Sequence, residues 1–342
     1  MNIFRVARDR AWSIILAGGD GVRLRPLIQR WLGCHKPKQY CAFIGTRSML
    51  QHTLDRADRL TAPARRVMVC AREHRHEALL QLKGRPPGTV ILQPANRGTG
   101  AGIFLPLAHV RMRDPEATVV IYPSDHFIYP EDRFLDVLQR AIWTAEWLTN
   151  RVVLLGVFPS SPEREYGWIR PGPPLDGTLG RRVRAVQAFH EKPDFAEAYA
   201  ARAAEALWNT MIVVAKAETI WTLGWRCVPE LMPMFERIAA VIGSPQKKAV
   251  MDAVYQAIPA MDFSSDVLQR APDQLALIEL NGVIWSDWGK AERIVETLRQ
   301  IGKQPAFPLE FVTADSDAGG AGRGLSPAMY GPQRRTAPQH HQ

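Results

Sequence analysis

The sequence has few cysteines, four among 342 residues. They stand at Cys34, Cys41, Cys70 and Cys227, with no C-x-x-C pair and no metal-binding spacing with the nine histidines. This pattern excludes a disulfide framework and a cysteine-based zinc site. It predicts free thiols in the reducing environment of the cytoplasm.

A long hydrophobic run is also absent from the sequence. No segment approaches the roughly 20 consecutive apolar residues that a membrane-spanning helix needs. The first residues have too short an apolar stretch, and no small-residue cleavage site, for a secretory signal. We therefore expect a cytoplasmic protein without a membrane partner.

Acidic residues are in the minority, with 34 Asp and Glu against 43 Lys and Arg and a net charge of +9. A basic surface can attract nucleic acid, an anionic membrane surface or phosphorylated small molecules. The basic residues are scattered and are not interleaved with aromatic residues on one face, so we do not expect nucleic-acid binding.

Short apolar runs alternate with segments of helical periodicity from about residue 11 to residue 150. This alternation predicts an α/β fold with a doubly wound, mostly parallel sheet of the Rossmann-like type. The following residues look less regular, and we expect them to add antiparallel strands at the sheet edge. We predict one domain at 11–308 and a disordered tail at 309–342, which is rich in Gly, Ser, Ala and Pro.

The glycine-rich stretch "LAGGDGVRLRPL" follows the first predicted strand, which should end near Ala17. Ligands bind at the carboxyl ends of strands in open α/β sheets, and glycines allow backbone N–H groups to approach a phosphate. Arg23 and Lys38 would add positive charge there. An ordinary turn remains an alternative, while Leu24 rules out G-x-G-x-x-G and no Lys-Ser/Thr pair supports a P-loop.

This stretch, with the later "KPKQY", resembles the signature loop of the sugar-phosphate nucleotidyltransferases, L-A-G-G-x-G-T-R-L-x-P-L followed by P-K. Gln39 and Tyr40 are most similar to the mannose-1-phosphate guanylyltransferase branch, whereas Val22 replaces the usual Thr. Seven similar segments occur in family order between Ser13 and Arg293. The resemblance implies the nucleotide-diphospho-sugar transferase type of fold.

The resemblance also implies a divalent metal, because two polyanionic substrates must meet. Asp125 in "YPSDHFI" and Asp287 in "WSDWG" resemble the family's two metal-binding carboxylates, and we expect them to converge on one Mg²⁺. Asp125 could alternatively belong to a turn or helix cap, and Asp287 could cap a final helix beginning near Lys290.

Three further segments resemble the part of the family that binds the sugar phosphate. "FHEKPD" would contribute Glu191 to sugar hydroxyls and Lys192 to the phosphate, although a solvated strand end is the alternative. The resemblance adds Tyr166, Gly167 and Asn209 to these sugar-phosphate-binding residues. Met211 stands where the family has Gly and Thr210 where it has Ser, so the identity of the sugar stays open.

The nucleotide is expected to contact two regions of the sequence, the first loop and "LQPANRGTGAG". The second region departs from the family pattern, and a flexible helix N-terminus would explain it equally well. The expected nucleotide-binding residues are Leu16, Ala17, Gly18, Gly19, Gly21, Arg23, Lys38, Gln93, Asn96, Gly98 and Thr99.

The resemblance implies an enzyme that joins GTP and mannose-1-phosphate into GDP-mannose with release of pyrophosphate. Arg23, Lys38 and Lys192 would be its catalytic residues, and Mg²⁺ its cofactor. Two alternatives stay open: a non-catalytic sensor of nucleotide sugars on the same fold, and a transferase for another base and sugar. The sequence does not decide whether the protein forms a homo-oligomer.

Overall fold

The computed structural model describes residues 11–175 and 183–312. Most of the tail predicted at 309–342 lies outside the described residues, from residue 313 onward. Within the described part of that segment, Phe311 and Val312 pack against a hydrophobic cluster of the domain. No helix among the described residues is both long and apolar enough to cross a membrane.

Parallel strands form the first half of the main sheet: β1 (Ala11–Ala17), β2 (Arg66–Ala71), β3 (Thr89–Gln93) and β4 (Thr118–Pro123). They lie in the order β3-β2-β1-β4, and each neighbouring pair is parallel. Ile14 and Ile15 face different hydrophobic clusters, so β1 is covered on both sides. Leu16 pairs with Pro123, which places the loops after β1 and β4 side by side.

Ten α-helices lie among the described residues. They are α1 (Arg25–Leu32), α2 (Met49–Asp58), α3 (Arg75–Gln81), α4 (Gly98–Arg113), α5 (Glu131–Trp147), α6 (Phe195–Ala203), α7 (Ala217–Cys227), α8 (Met232–Ala239), α9 (Lys247–Ala257) and α10 (Ala291–Gln300). Helices α4, α7, α8 and α9 pack on one face of the sheet, and α2 and α5 pack on the other.

The second half of the main sheet contains antiparallel pairs. It is formed by β6 (Val152–Val157), β7 (Gly167–Pro174), β8 (Val183–Glu191), β9 (Leu207–Lys216) and β10 (Leu275–Glu279). The order continues as β4-β9-β6-β10-β8-β7. The doubly wound α/β class with added antiparallel strands is confirmed.

The antiparallel strands expected at the sheet edge are found there as β8 and β7, whereas β9 lies elsewhere. β9 is inserted between β4 and β6 and is antiparallel to both. Its residues Val213 and Val214 are fully buried in the two opposite clusters. A strand that is apolar on both faces suits the interior of a sheet rather than its edge.

A small two-stranded sheet joins the segments that carry the two predicted metal ligands. Strand β5 (Phe127–Tyr129) pairs antiparallel with β11 (Ile284–Ser286), and Phe127 lies opposite Ser286. The rings of Phe127 and Trp288 stack with centroids 4.5 Å apart. This pairing brings the chain around residue 125 next to the chain around residue 287.

A third hydrophobic cluster attaches the first loop to the C-terminal helix. Leu27 and Ile28 of α1 belong to the same buried cluster as Trp288 and as Ile294 and Leu298 of α10. The loop after β1 and the segment before α10 are therefore held against each other by apolar packing.

Candidate active site

The glycines of the first loop are required mainly by close packing within the protein. Gly21 has a φ of 60°, and a Cβ atom there would lie 2.6 Å from the backbone nitrogen of Lys38. A side chain at Gly18 would collide with the carboxamide of Gln93. Gly19 is exposed and has open space where a side chain would stand. The peptide face around Gly19 is the part of the loop that is open to a ligand.

The backbone at the end of β1 contributes to the site by holding neighbouring segments. The Leu16 carbonyl accepts a hydrogen bond from the Ser124 N–H at 3.1 Å. The Ala17 carbonyl accepts from Gln39 Nε2 and from the Tyr40 hydroxyl, each at 3.2 Å. The P-K-Q-Y segment and the Asp125 loop are thus both anchored to the strand that precedes the glycines.

The Lys38 ammonium contacts both residues that the sequence suggests as metal ligands. Its Nζ lies 2.8 Å from Asp125 Oδ2 and also donates to the backbone carbonyl of Asp287. Only 4% of the Lys38 side chain is exposed. The structure therefore brings Asp125 and Asp287, which are 162 positions apart in the sequence, to one buried cation.

Asp287 receives hydrogen bonds on both carboxylate oxygens. Oδ1 accepts from the Tyr166 hydroxyl at 2.6 Å, from Arg293 Nη1 at 3.0 Å and from the Gly289 N–H at 3.0 Å. Oδ2 accepts from Arg23 Nη2 at 2.9 Å. Three donors thus fix Oδ1, whereas Oδ2 contacts the half-exposed side chain of Arg23.

Neither aspartate caps a helix in this structure. Helix α10 begins at Ala291 with Lys290 as its N-cap residue, and α5 has Pro130 as its N-cap. The alternative roles of Asp125 and Asp287 as helix caps are therefore wrong, whereas the other alternative for Asp125 is confirmed, since it lies in a turn after β4.

Both aspartates are held in their ionised form by surrounding cations. Burial alone would raise the pKa of Asp287, but Lys38 and the Tyr166 hydrogen bond outweigh it and keep that pKa well below the usual carboxyl range. Burial alone would also raise the pKa of Asp125. Lys38 and His126 outweigh the burial, so that this pKa is lowered as well. Two ionised carboxylates in one cleft are ligands that suit a hard divalent cation.

Arg23 is surrounded by acidic residues, one of which the sequence analysis did not single out. Its Nη1 lies 3.0 Å from Glu165 Oε2, and its side chain is 50% exposed. Glu165 and Glu163 also form ion pairs with Arg293. The run Glu-Arg-Glu directly before Tyr166 is the sequence signal that could have indicated this network.

Glu191 and Lys192 lie at the end of β8. Lys192 Nζ is 3.3 Å from Glu191 Oε1, with 60% of the lysine side chain exposed but only 13% of the glutamate. Burial raises the pKa of Glu191, with Lys192 acting in the opposite direction. Gly167 pairs opposite Glu191, and a Cβ atom at Gly167 would lie 2.6 Å from Glu191 Oε2. The absence of a side chain at Gly167 therefore leaves room for the Glu191 carboxylate.

Tyr166 connects the two groups of charged residues. Its hydroxyl donates to Asp287, while its backbone carbonyl accepts the Lys192 N–H at 3.2 Å. Lys192 has a φ of 47°, in the left-handed region that non-glycine residues rarely occupy. The bond to Tyr166 helps to hold this unfavourable backbone conformation.

Asn209 is buried near Met211 in β9. Its Oδ1 accepts the Met211 N–H at 3.1 Å, and only 4% of Asn209 is exposed. The Thr210 hydroxyl donates to the Leu155 carbonyl at 2.7 Å. The Thr210 hydroxyl is therefore bonded within the sheet, and this bond does not distinguish Thr from Ser.

Gln93 lies behind the glycine loop at the end of β3. It is 3% exposed, and its Oε1 has no hydrogen-bond partner among residues 11–175 and 183–312. Asn96 Nδ2 donates to Asp20 Oδ2 of the loop at 3.2 Å, and Asn96 Oδ1 accepts the Gly98 N–H at 3.0 Å. The two predicted nucleotide-binding regions therefore lie next to each other.

The first turn of α4 is held by a segment that the sequence analysis did not identify. Gly98 has a φ of 81° and packs against the Met261 carbonyl. The Phe263 N–H donates to the Thr99 hydroxyl at 2.8 Å, and that hydroxyl lies 3.4 Å from Asp262 Oδ2. The segment at 261–266 thus borders both the predicted base-binding region and the surroundings of Met211, which Ser264 contacts.

A second group of metal-binding side chains lies on the other side of the first loop. Asp20, Glu73 and His74 place carboxylate and imidazole atoms within 4.8 Å of one another. These three residues were not among those expected from the sequence to form a site. Exposed acidic groups often lie together without an ion, so the cluster alone assigns no metal.

A family model and curated relatives both match most of this chain. The family model described as Nucleotidyl transferase matches residues 12–304. The Xanthan biosynthesis protein XanB of Xanthomonas campestris pv. campestris (strain ATCC 33913) is 28% identical over 313 residues, which cover 88% of this chain and 62% of that protein. A mannose-1-phosphate guanylyltransferase of Escherichia coli (strain K12) is 28% identical over 291 residues, covering 83% of this chain and 59% of that protein.

Solved structures show the same fold. One from Thermus thermophilus, described as a mannose-1-phosphate geranyltransferase, has a TM-score of 0.72 at 25% identity and covers 84% of this chain and 79% of that chain. One from Helicobacter pylori, described as a mannose-6-phosphate isomerase, has a TM-score of 0.64 at 20% identity, covering 81% of this chain and 99% of that chain. The chain spans about three fifths of the length of the curated relatives named above.

Proposed function

Because the chain belongs to the nucleotidyl transferase family, we propose that it transfers a guanylyl group from GTP to mannose-1-phosphate, forming GDP-mannose and pyrophosphate. The observation that carries this proposal is the meeting of Arg23, Lys38, Asp125 and Asp287 beside the carboxyl ends of β1 and β4. Relatives named mannose-1-phosphate guanylyltransferase support the choice of substrates.

The reaction needs positioning more than proton transfer. A phosphate oxygen of mannose-1-phosphate attacks the α-phosphorus of GTP, a new P–O bond forms, and the bond from the α-phosphorus to the bridging oxygen of the β-phosphate breaks. The electron pair of that bond leaves with pyrophosphate. The attacking phosphate is already anionic near neutral pH, so no general base is required.

The cationic side chains have distinct tasks in this reaction. The open peptide face at Gly19 and the half-exposed Arg23 are placed to bind the triphosphate, with Arg23 stabilising charge on the leaving pyrophosphate. Buried Lys38 holds the Asp125 carboxylate and the Asp287 backbone carbonyl together. Exposed Lys192 is free to bind the phosphate of the attacking substrate.

Asp125 and Asp287 fit a magnesium ion by the chemistry of their donor atoms. Both carboxylates are kept ionised, and Asp287 Oδ2 is released when Arg23 turns to a phosphate group. When bound, such an ion supplies neutralisation of the negative charges of the two substrates. The three donors on Asp287 Oδ1 keep the carboxylate oriented during that exchange.

The unsatisfied Gln93 Oε1 supports a base with N–H donors on its edge. Guanine offers the ring N1–H and the exocyclic amino group, and Asn96 lies on the same side of the loop. We place the reaction in the cytoplasm, a choice that the four unpaired thiols support.

Pyrophosphate release from a matrix of nucleoside triphosphates and sugar-1-phosphates with Mg²⁺ tests the proposal. We expect the highest kcat/KM for GTP with mannose-1-phosphate, and no release after chelation of the metal. Arg23→Ala should lower kcat by about 10²- to 10³-fold. Arg226→Ala is the matched control, since Arg226 is 48% exposed and paired with Asp273 on the surface, and it should leave kcat unchanged.

Two results would overturn the proposal. Release from no substrate pair would favour the non-catalytic sensor, and a clear preference for another pair would favour a different transferase. A normal rate in Arg23→Ala would remove the assigned role of that residue.

A further inference from the structure

Met211 occupies a backbone conformation that favours glycine. Its φ is 57°, in the left-handed region, where a side chain costs free energy on the order of 1 kcal/mol or more. The residue lies in β9, directly after Thr210, whose hydroxyl is fixed to the sheet. Glycine would adopt this backbone conformation with less strain than the bulky methionine that the chain carries here.

Contacts on both sides hold Met211 in place. Its N–H donates to Asn209 Oδ1 at 3.1 Å, and its Sδ lies 3.0 Å from the hydroxyl of Ser264. Ser264 is 3% exposed and belongs to the segment that also contacts the first turn of α4. The thioether is thus confined between the predicted sugar-binding residue Asn209 and the 261–266 segment.

The same serine connects Met211 to Glu191. The Glu191 N–H donates to Gln269 Oε1 at 2.7 Å, and Gln269 directly follows the helical turn Ser264–Leu268 that begins with this serine. Ser264 also acts against the burial that raises the pKa of Glu191. Glu191 Oε1 in turn lies 3.3 Å from Lys192 Nζ. The thioether therefore lies one residue away from the carboxylate assigned to the sugar hydroxyls.

The neighbourhood of Glu191 and Lys192 suggests which hydroxyl is involved. If Lys192 binds the phosphate on C1, the Glu191 carboxylate, 3.3 Å from that ammonium, lies beside the phosphate, and the sugar hydroxyl nearest to a C1 phosphate is the one on C2. The turn that carries Ser264 is bonded to Glu191 through Gln269, and Ser264 contacts the Met211 thioether. The substituent on C2 would therefore point toward the Met211 side chain.

We propose that Met211 is a specificity-determining residue that limits the C2 substituent of the sugar-1-phosphate to the size of a hydroxyl group. The inference rests on the proposed function and adds a restriction on the sugar. An acetamido group at C2 would have to displace the thioether, which is held by Ser264 and by the strained backbone of β9.

The test compares mannose-1-phosphate with its 2-acetamido-2-deoxy analogue, which differs only at C2. The quantity measured is kcat/KM for the analogue divided by kcat/KM for mannose-1-phosphate. Met211→Ala and Met211→Gly should each raise this ratio at least about tenfold above the wild-type value, because removing buried methylene groups from a pocket changes specificity on that scale. Met234→Ala is the control, because Met234 is a partly buried methionine of α8 outside the site. It should leave the ratio unchanged.

Comparison of the two Met211 variants separates side-chain volume from backbone strain. Both remove the thioether, but only glycine relieves the left-handed strain, so Met211→Gly should melt about 1–2 °C above Met211→Ala. For a variant that shows no turnover, calorimetry gives the Kd of each of the two sugar phosphates. The ratio of these two Kd values then replaces the ratio of kcat/KM values.

The outcomes distinguish this inference from the proposed function. A wild-type enzyme that uses mannose-1-phosphate, with ratios in both variants within threefold of wild type, overturns the role of Met211 alone. A wild-type protein that neither binds nor turns over either sugar phosphate overturns both proposals.

Discussion

The two ends of the candidate active site hold their charged groups in different ways. At the phosphate end, formed by Arg23, Lys38, Asp125 and Asp287, side chains from distant segments hold one another through ion pairs. At the sugar end, formed by Glu191, Lys192, Asn209 and Met211, two residues have left-handed backbone conformations, and the ammonium of Lys192 is mostly exposed.

This difference follows from the fold around each end. The phosphate end lies between the parallel half of the sheet, the small β5–β11 sheet and the third hydrophobic cluster, so many segments contribute one residue each. The sugar end is built on β8 and β9 and the segment at 261–266, and the backbone fixes the side-chain directions. If the proposed roles hold, we expect charge neutralisation to dominate at the phosphate end and the shape of the pocket to dominate at the sugar end.

The largest effect is expected from a change at the phosphate end. Asp287→Asn keeps the shape of the side chain but removes the charge that Arg23, Arg293 and a divalent cation would share. The loss of several kcal/mol of charge stabilisation should lower kcat by about 10³-fold. Steady-state kinetics with Asp273→Asn, a surface carboxylate paired with Arg226, provide the control. Activity near the wild-type level would mean that the ion-pair network is structural only.

A smaller effect is expected at the sugar end. Lys192→Ala removes an exposed cation that would bind the attacking phosphate, and a hydrogen bond to a charged group contributes about 1.5–3 kcal/mol. We expect kcat/KM for the sugar phosphate to fall roughly 10- to 100-fold, while KM for GTP stays close to wild type. Lys248→Ala, an exposed lysine of α9, is the matched control. An equal loss for both substrates would contradict the division into two ends.

The smallest effect is a difference in pH dependence between the ends. Burial raises the pKa of Glu191, whereas the pKa values of Asp125 and Asp287 are lowered. As pH falls below 7, Glu191 therefore takes up a proton first and loses acceptor capacity for a sugar hydroxyl. We expect KM for the sugar phosphate to rise a few-fold before metal-dependent steps weaken.

Glu191→Gln separates this effect from the titration of the substrates, because the glutamine is neutral at every pH. The ratio of the wild-type KM to the variant KM cancels the ionisation of the sugar phosphate. It should increase as pH falls toward 5. A ratio that is constant with pH would show that Glu191 does not contact the sugar in its ionised form.

The sequence pattern predicted the fold class, and it singled out Arg23, Lys38, Asp125 and Asp287, which the structure brings together. Alternating apolar strands and amphipathic helices indicated a covered sheet, and the glycine loop indicated a ligand at the end of β1. The pattern failed at β9, because an antiparallel strand in a sheet interior is apolar on both faces, like a parallel strand. It also missed Glu165 and the segment at 261–266, whose contacts are long-range.

By itself, the sequence determined which elements form and where polar residues interrupt them, since local periodicity and backbone preferences act over a few residues. Only the tertiary structure decided that Asp125 and Asp287 meet at Lys38, that Tyr166 joins the two ends, and that Met211 faces Ser264. These contacts depend on strand pairing and apolar packing between segments far apart in the chain, which local sequence does not encode residue by residue.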